Sequence, residues 1–241
     1  MPINRAALTL SLPPFQVGAP AGRPQMPPMN ESLKSNFDTL HRQMRQMPLS
    51  HFTVEPNAPD YSGIRQSGFF ALSQGFRLSN ASDDFFIHAR RKAPQYRGEF
   101  IGDKFHISVQ EQQVAQAFQA LSGLLFSEDS PIDKWKVTDM ARVDQQSRVG
   151  EGAQFTLYVK PDRGDSQYSA TALHKTRQFI ASLESRLSEQ GIIPGRVPES
   201  DVHPDSWRYI SYRNELRSER GGGEMQSQAL REEPFYRLMT E

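Results

Sequence analysis

Apolar positions recur along this chain with two periods, and the switches between them mark out its elements. Leu33, Phe37, Leu40, Met44 and Met47 fall at spacings of four and three. That is one helix face, with Asn30 as its N-cap and Pro48 as its stop. Val114, Phe118, Leu121 and Leu125 predict a second helix over 110–126. Ala172, Phe179, Ile180, Leu183 and Leu187 predict a longer one over 166–190, ended by Gly191. These stripes read as core. Alternating stretches predict strands at 84–90, 103–109, 133–139 and 153–160, with a further candidate at 207–213. Helices and strands mix without a regular parallel repeat. The pattern predicts an α+β fold, a single compact domain with a mixed or antiparallel sheet flanked by helices.

The first 28 residues break this pattern, since they hold seven of the 17 prolines. Proline excludes an interior helix or a central strand, so residues 1–28 read as an extended, flexible arm and 29–241 as the folded domain.

Composition then removes whole classes of function. Lys plus Arg equals Asp plus Glu at 28 each, without the basic excess that a nucleic-acid binder carries. The chain has no cysteine, which excludes disulfides, thiolate metal sites and cysteine-nucleophile phosphatases. No apolar run approaches the roughly 20 residues of a membrane span. The opening MPINRAALTLSLPP lacks the apolar stretch of a cleavable export signal. It fits a cytosolic protein, or one exported by a needle-type machine. Nothing in the sequence calls for more than a monomer.

Three strands share a cationic bias. In DKFHISV, Lys104, His106 and Ser108 oppose Phe105, Ile107 and Val109. In DKWKVTD, Lys134, Lys136 and Thr138 oppose Trp135 and Val137, and in AQFTLYVK, Gln154, Thr156, Tyr158 and Lys160 oppose Phe155, Leu157 and Val159. Each polar face alone reads as a solvated sheet surface. Three together read as an anion site. Downstream lie Arg148 and the run SYRNELRSERGGGE, with Arg213, Arg217 and Arg220. Arginine grips phosphate through paired hydrogen bonds, and Gly221–Gly223 would let backbone approach a ligand closely. The same run also reads as a charged surface helix, since Arg213 with Arg217 and Glu215 with Glu219 are four apart.

No phosphate-binding loop, nucleophile elbow or HExxH motif is present. The histidines at 41, 51, 88, 106, 174 and 203 lack metal-ligand spacing. His174 reads as structural and His203 as a turn residue. No metal or cofactor is called for. Such a cationic pocket is poorly equipped to hydrolyse a phosphate ester.

The blocks GDKFHIS (102–108), SGLLFSEDSPIDKWKVTDM (122–140), GAQFTLYVK (152–160), SYRNELRS (211–218) and QALREEPFYRLMTE (228–241) resemble the SpvC/OspF-like phosphothreonine lyases. These are effectors that Gram-negative bacteria inject into host cells through type III secretion. The resemblance runs from Met1 to Glu241 and is weakest at 13–28. It implies β-elimination of phosphate from a phosphothreonine–x–phosphotyrosine motif in host MAP kinases, leaving dehydrobutyrine, without metal or cofactor. It further implies Lys136 as general base, His106 as general acid and Lys104 as a support for developing charge. Arg148, Tyr158, Lys160, Arg213 and Arg220 match positions that hold the substrate's phosphates. A lysine acts as base only when neutral, so Lys136 is expected to have a lowered pKa from burial and neighbouring cations. Asp201 is a candidate to orient one of these cations.

The family also carries a kinase-docking motif at its N-terminus, which Arg5, Leu8, Leu10 and Leu12 match here. An extended peptide presenting alternate side chains can fill grooves on a partner. A non-catalytic phosphopeptide-binding module, a hydrolytic phosphatase and a plain kinase adaptor are the competing readings.

Overall fold

The computed structural model describes residues 29–144 and 147–241. The arm, and with it Arg5, Leu8, Leu10 and Leu12, lies outside the described residues. The expected N-cap is present: the Asn30 side chain accepts a hydrogen bond from the Leu33 backbone N–H at 3.0 Å. The helix expected over 31–47 is two, α1 (Glu31–Ser35) and α2 (Phe37–Gln46), broken at Asn36. There an asparagine side chain bonds back to the Ser32 carbonyl, the local competition that makes this residue type a poor helix interior.

After a short α3 (Tyr61–Arg65) come two strands that the sequence reading missed, β1 (Ala71–Ser73) and β2 (Phe76–Ser79). They form a hairpin through Gln74 and Gly75, both at positive φ (44° and 77°), the two-residue turn whose twist suits paired strands. The expected strands follow as β3 (Phe86–Arg91), β4 (Asp103–Ile107), β5 (Lys134–Thr138) and β6 (Phe155–Tyr158). Between them lie α4 (Val114–Leu125) and α5 (Arg148–Glu151). The long helix α6 (Ala170–Glu189) precedes β7 (Ile210–Asn214). Two further helices end the chain, α7 (Glu224–Arg231) and α8 (Pro234–Thr240). Arg213 thus lies on a strand, and the surface-helix reading of its run fails.

All seven strands form one antiparallel sheet in the order β1-β2-β3-β5-β6-β4-β7. One face is core. Trp135 packs against Phe118 of α4 and against Phe126, and Phe105 packs against Phe235 of α8. Phe179, Ile180, Leu183 and Leu187 of α6 lie in the same cluster. A buried carboxylate ties β4 to β7: Asp103 accepts hydrogen bonds from Tyr212 Oη at 2.7 Å, Tyr168 Oη at 3.0 Å and Asn214 Nδ2 at 3.0 Å. No helix among the described residues is long and apolar enough to cross a membrane.

Candidate active site

The opposite face of the sheet carries the chemistry, and the strand register decides what stands beside what. The three cationic strands β5, β6 and β4 are neighbours. Lys136 pairs with Thr156, and Thr156 with His106, while His88 and Ser211 extend this row at its two ends. The next row runs Arg90, Lys134, Tyr158, Lys104, Arg213. Side chains directly opposite on neighbouring strands share a face. The small Thr156 therefore forms a floor between Lys136 and His106, whose backbones stand roughly 10 Å apart at about 4.8 Å per strand.

This face is not the solvated surface that each strand alone allowed. Lys104 and His106 are buried, and so are Thr156, Ser211 and Arg213. Over them stand α5 and the segments around Ser200 and Arg220, leaving a cavity of about 140 Å³. Phe86, Lys104, His106, Lys136, Arg148, Val149, Ala153, Thr156, Arg213 and Arg220 line it. Six of these residues were singled out from sequence. Arg148 and Arg220 also line an adjoining cavity of about 390 Å³ with Arg196 and Glu199. Tyr158 stands one row away, its ring 4.2 Å from Lys134 Nζ. Lys160 lies two residues further along the chain, past the end of β6 and outside the cavity lining.

Lys136 is held with a weakened grip on its proton. Burial lowers its pKa to about 8; Asp84 opposes that shift, and Lys104 and Lys134 add to it. Lys104 is likewise lowered by burial, against the pull of Glu215, whose carboxylate accepts from Nζ at 2.9 Å. Burial pushes the Tyr158 phenol up to about 12, so it stays a neutral donor.

His106 is held by a chain of hydrogen bonds that sequence reasoning foresaw only in Asp201. His106 Nδ1 donates to Asp201 Oδ2 at 2.6 Å. Ser211 Oγ donates to the same oxygen at 2.7 Å, and Ser200 Oγ to Asp201 Oδ1 at 3.0 Å. Arg148 Nη2 in turn donates to Ser200 Oγ at 3.0 Å. Burial works against the Asp201 charge, but His106 and these hydrogen bonds outweigh it and hold the carboxyl below its ordinary range. An ionised carboxylate only accepts, so Nδ1 carries the proton toward Asp201 and Nε2 is left for the cavity. Asp201 thus orients the imidazole.

Within the glycine run, Gly221 lines the larger cavity and Gly222 serves the packing of the chain itself. A Cβ on Gly222 (φ +72°) would lie 2.4 Å from the Glu199 carbonyl oxygen, so glycine lets the Arg220 loop close onto the Ser200 segment. Phe86 shares the strand parity of His88, the one signal in the sequence that places it on this face. Ser200 and Ser211 carried no signal in sequence. Among the described residues, no three His, Asp or Glu side chains gather as a metal site.

Known proteins are similar to this chain in sequence along its whole length and in fold over most of it. The chain matches the OspF/SpvC family over residues 2–241. It is 68 % identical over 241 residues, all of both chains, to the MAPK phosphothreonine lyase of Salmonella typhimurium. The structure of the Chromobacterium violaceum VirA (SpvC) phosphothreonine lyase effector protein superposes with a TM-score of 0.86 at 74 % identity, covering 88 % of this chain and 99 % of that one. The type III effector/phosphothreonine lyase OspF from Shigella flexneri does so with a TM-score of 0.79 at 60 % identity, covering 88 % and 99 %. Fold and sequence agree, and the chain belongs to the OspF/SpvC family of phosphothreonine lyases.

Proposed function

We propose that this lyase acts on host MAP kinases phosphorylated on threonine and tyrosine, with Lys136 as general base and His106 as general acid. One observation carries the assignment: Lys136 and His106 flank the same small side chain, Thr156, in a buried cationic pocket. Neutral Lys136 takes the α-proton of the phosphothreonine. The released electron pair forms the Cα–Cβ double bond, the Cβ–O bond breaks, and His106 gives its proton to the departing phosphate oxygen. Phosphate leaves, and dehydrobutyrine remains in the substrate. Lys104, Arg213, Arg148 and Arg220 offset the charge that gathers on the phosphate, with guanidinium forks suited to its oxygens. Tyr158 and Lys160 extend the binding surface toward the second phosphate. A reader of phosphopeptides needs only charge at Lys136, whereas the lowered pKa there serves proton transfer.

Residues 1–28 serve as a delivery and docking arm, with Arg5, Leu8, Leu10 and Leu12 engaging the kinase outside its phosphorylated loop. The protein enters the host cell by type III secretion and works as a monomer.

The test is the intact mass of a phosphothreonine–x–phosphotyrosine peptide after incubation with the protein and excess chelator. Loss of the elements of phosphoric acid is expected. Recovery of plain threonine would mean hydrolysis and overturn the mechanism. A peptide and an intact kinase both left unchanged would favour a binding module.

A further inference from the structure

The catalytic face of the sheet does not end at β5. Its second row continues from Lys134 through Arg90 of β3 and Arg77 of β2 to Leu72 on the edge strand β1. Exposure rises along that row, from Lys104 at 8 % to Leu72 at 56 %. Phe70 is two residues from Leu72, hence on the same side of the chain. It is 53 % exposed, and its ring centroid lies 5.5 Å from the Arg77 guanidinium carbon. Phe69, in the turn before β1, is 87 % exposed. The core contact of β1 comes from the other face, through Ala71. Nine large apolar side chains are exposed among the described residues, and three fall within residues 69–72. Single exposed apolar residues are ordinary, but a cluster rimmed by charge marks a partner surface.

We propose that the outer face of the β1–β2 hairpin is a docking surface for the substrate protein itself, beyond its phosphorylated motif. Phe70 and Leu72 would take an apolar side chain, and Arg77 the acidic charge beside it. The inference rests on the reading of Lys136 and His106 as the lyase pair. Continuity with their pocket points to the occupant. Three strand spacings of about 4.8 Å separate β5 from β1, roughly 14 Å, which four or five extended residues cover. Charge points the same way: the path from Lys136 to Leu72 passes Arg90 and Arg77, and a segment carrying two phosphates is strongly anionic. A second copy of this chain would instead set arginines against arginines.

The test uses the full chain with Phe70→Ser combined with Leu72→Ser, and separately Arg77→Glu. Each is assayed on an intact doubly phosphorylated MAP kinase and on a peptide with two residues on either side of the phosphothreonine–x–phosphotyrosine motif. Both variants should raise KM for the kinase about tenfold with kcat held, and leave the short peptide unaffected. An unchanged KM for the kinase overturns the proposal. So does an equal loss on both substrates, which would make the hairpin a support of the pocket. A wild-type dimer that the variants dissociate overturns it in favour of self-association. Failure of the underlying reading shows itself differently, as a wild-type protein that leaves the short peptide intact.

Discussion

Lys136 Nζ lies 3.6 Å from the centre of the Phe86 ring. The ring acts in two opposing ways, since its face attracts the ammonium charge while its bulk keeps water from one side. Burial is the largest cause of the lowering of the Lys136 pKa to about 8, and the ring is part of that burial. At pH 7 roughly a tenth of the lysine is then neutral, against fewer than about one part in a thousand for an exposed one.

The sign of the pH dependence follows. The base is active when neutral, so kcat/KM should show a rising limb as pH climbs toward about 8. Phe86→Ala admits water and should move that rising limb toward the ordinary lysine range, lowering activity at neutral pH. A pH–rate profile that keeps its limb in Phe86→Ala would show that the ring does not set the base.

Lys136→Arg keeps the charge but removes a usable base. It should lower kcat by about 10²–10⁴ while leaving phosphopeptide affinity nearly intact. Single-turnover kinetics beside equilibrium binding separates the two effects. Wild-type height and shape of the pH profile in Lys136→Arg would make the base assignment wrong.

Asp201→Asn should reduce kcat about tenfold or more with little change in KM, because a neutral amide no longer stabilises the imidazolium that hands its proton to the departing oxygen. Ser200→Ala, which removes only the link to Arg148, should have a smaller effect in the same direction. Steady-state kinetics on a phosphopeptide reads both. A rise in KM without loss of kcat would assign Asp201 to substrate binding instead.

Stability should depend on Asp103 more than activity assays reveal. Asp103→Ala leaves the buried Tyr212, Tyr168 and Asn214 donors without their acceptor, at roughly 1–3 kcal/mol for each left unsatisfied. Thermal and urea unfolding should show a large loss. A melting temperature within a degree of wild type would mean that these donors find other partners.

Removing residues 1–12 should weaken attack on intact kinase and spare a short phosphopeptide. Comparison of kcat/KM on the two substrates checks this, and equal losses on both would exclude a docking role for Arg5, Leu8, Leu10 and Leu12.

Much of this site could be read along the chain because strand alternation is a local signal. Parity alone separated Lys104, His106, Lys136 and Thr156 from the core residues beside them. What parity cannot supply is neighbourhood: His106 and Asp201 are 95 residues apart, and nothing local joins them. Arg213 shows the opposite failure. Its four-residue spacing from Arg217 fitted one charged face of a helix, yet Arg217 is buried against Glu233 at 2.6 Å and the backbone at Arg213 is extended. The β1–β2 hairpin was missed because Gln74 takes a positive φ that is rare outside glycine, asparagine and aspartate. The C-terminal helix α8 was overlooked even though Pro234 sits at its start, where proline is favoured.

The row that sets Lys136, Thr156 and His106 side by side has a consequence for how the molecule can fail. A slip of one residue in any of these strands exchanges its two faces. Lys136 would give way to Trp135 or Val137, and His106 to Phe105 or Ile107, so a misregistered sheet would lose its catalyst and its core together. Refolded preparations should therefore divide into fully competent and wholly inert molecules, with specific activity reporting the fraction threaded correctly.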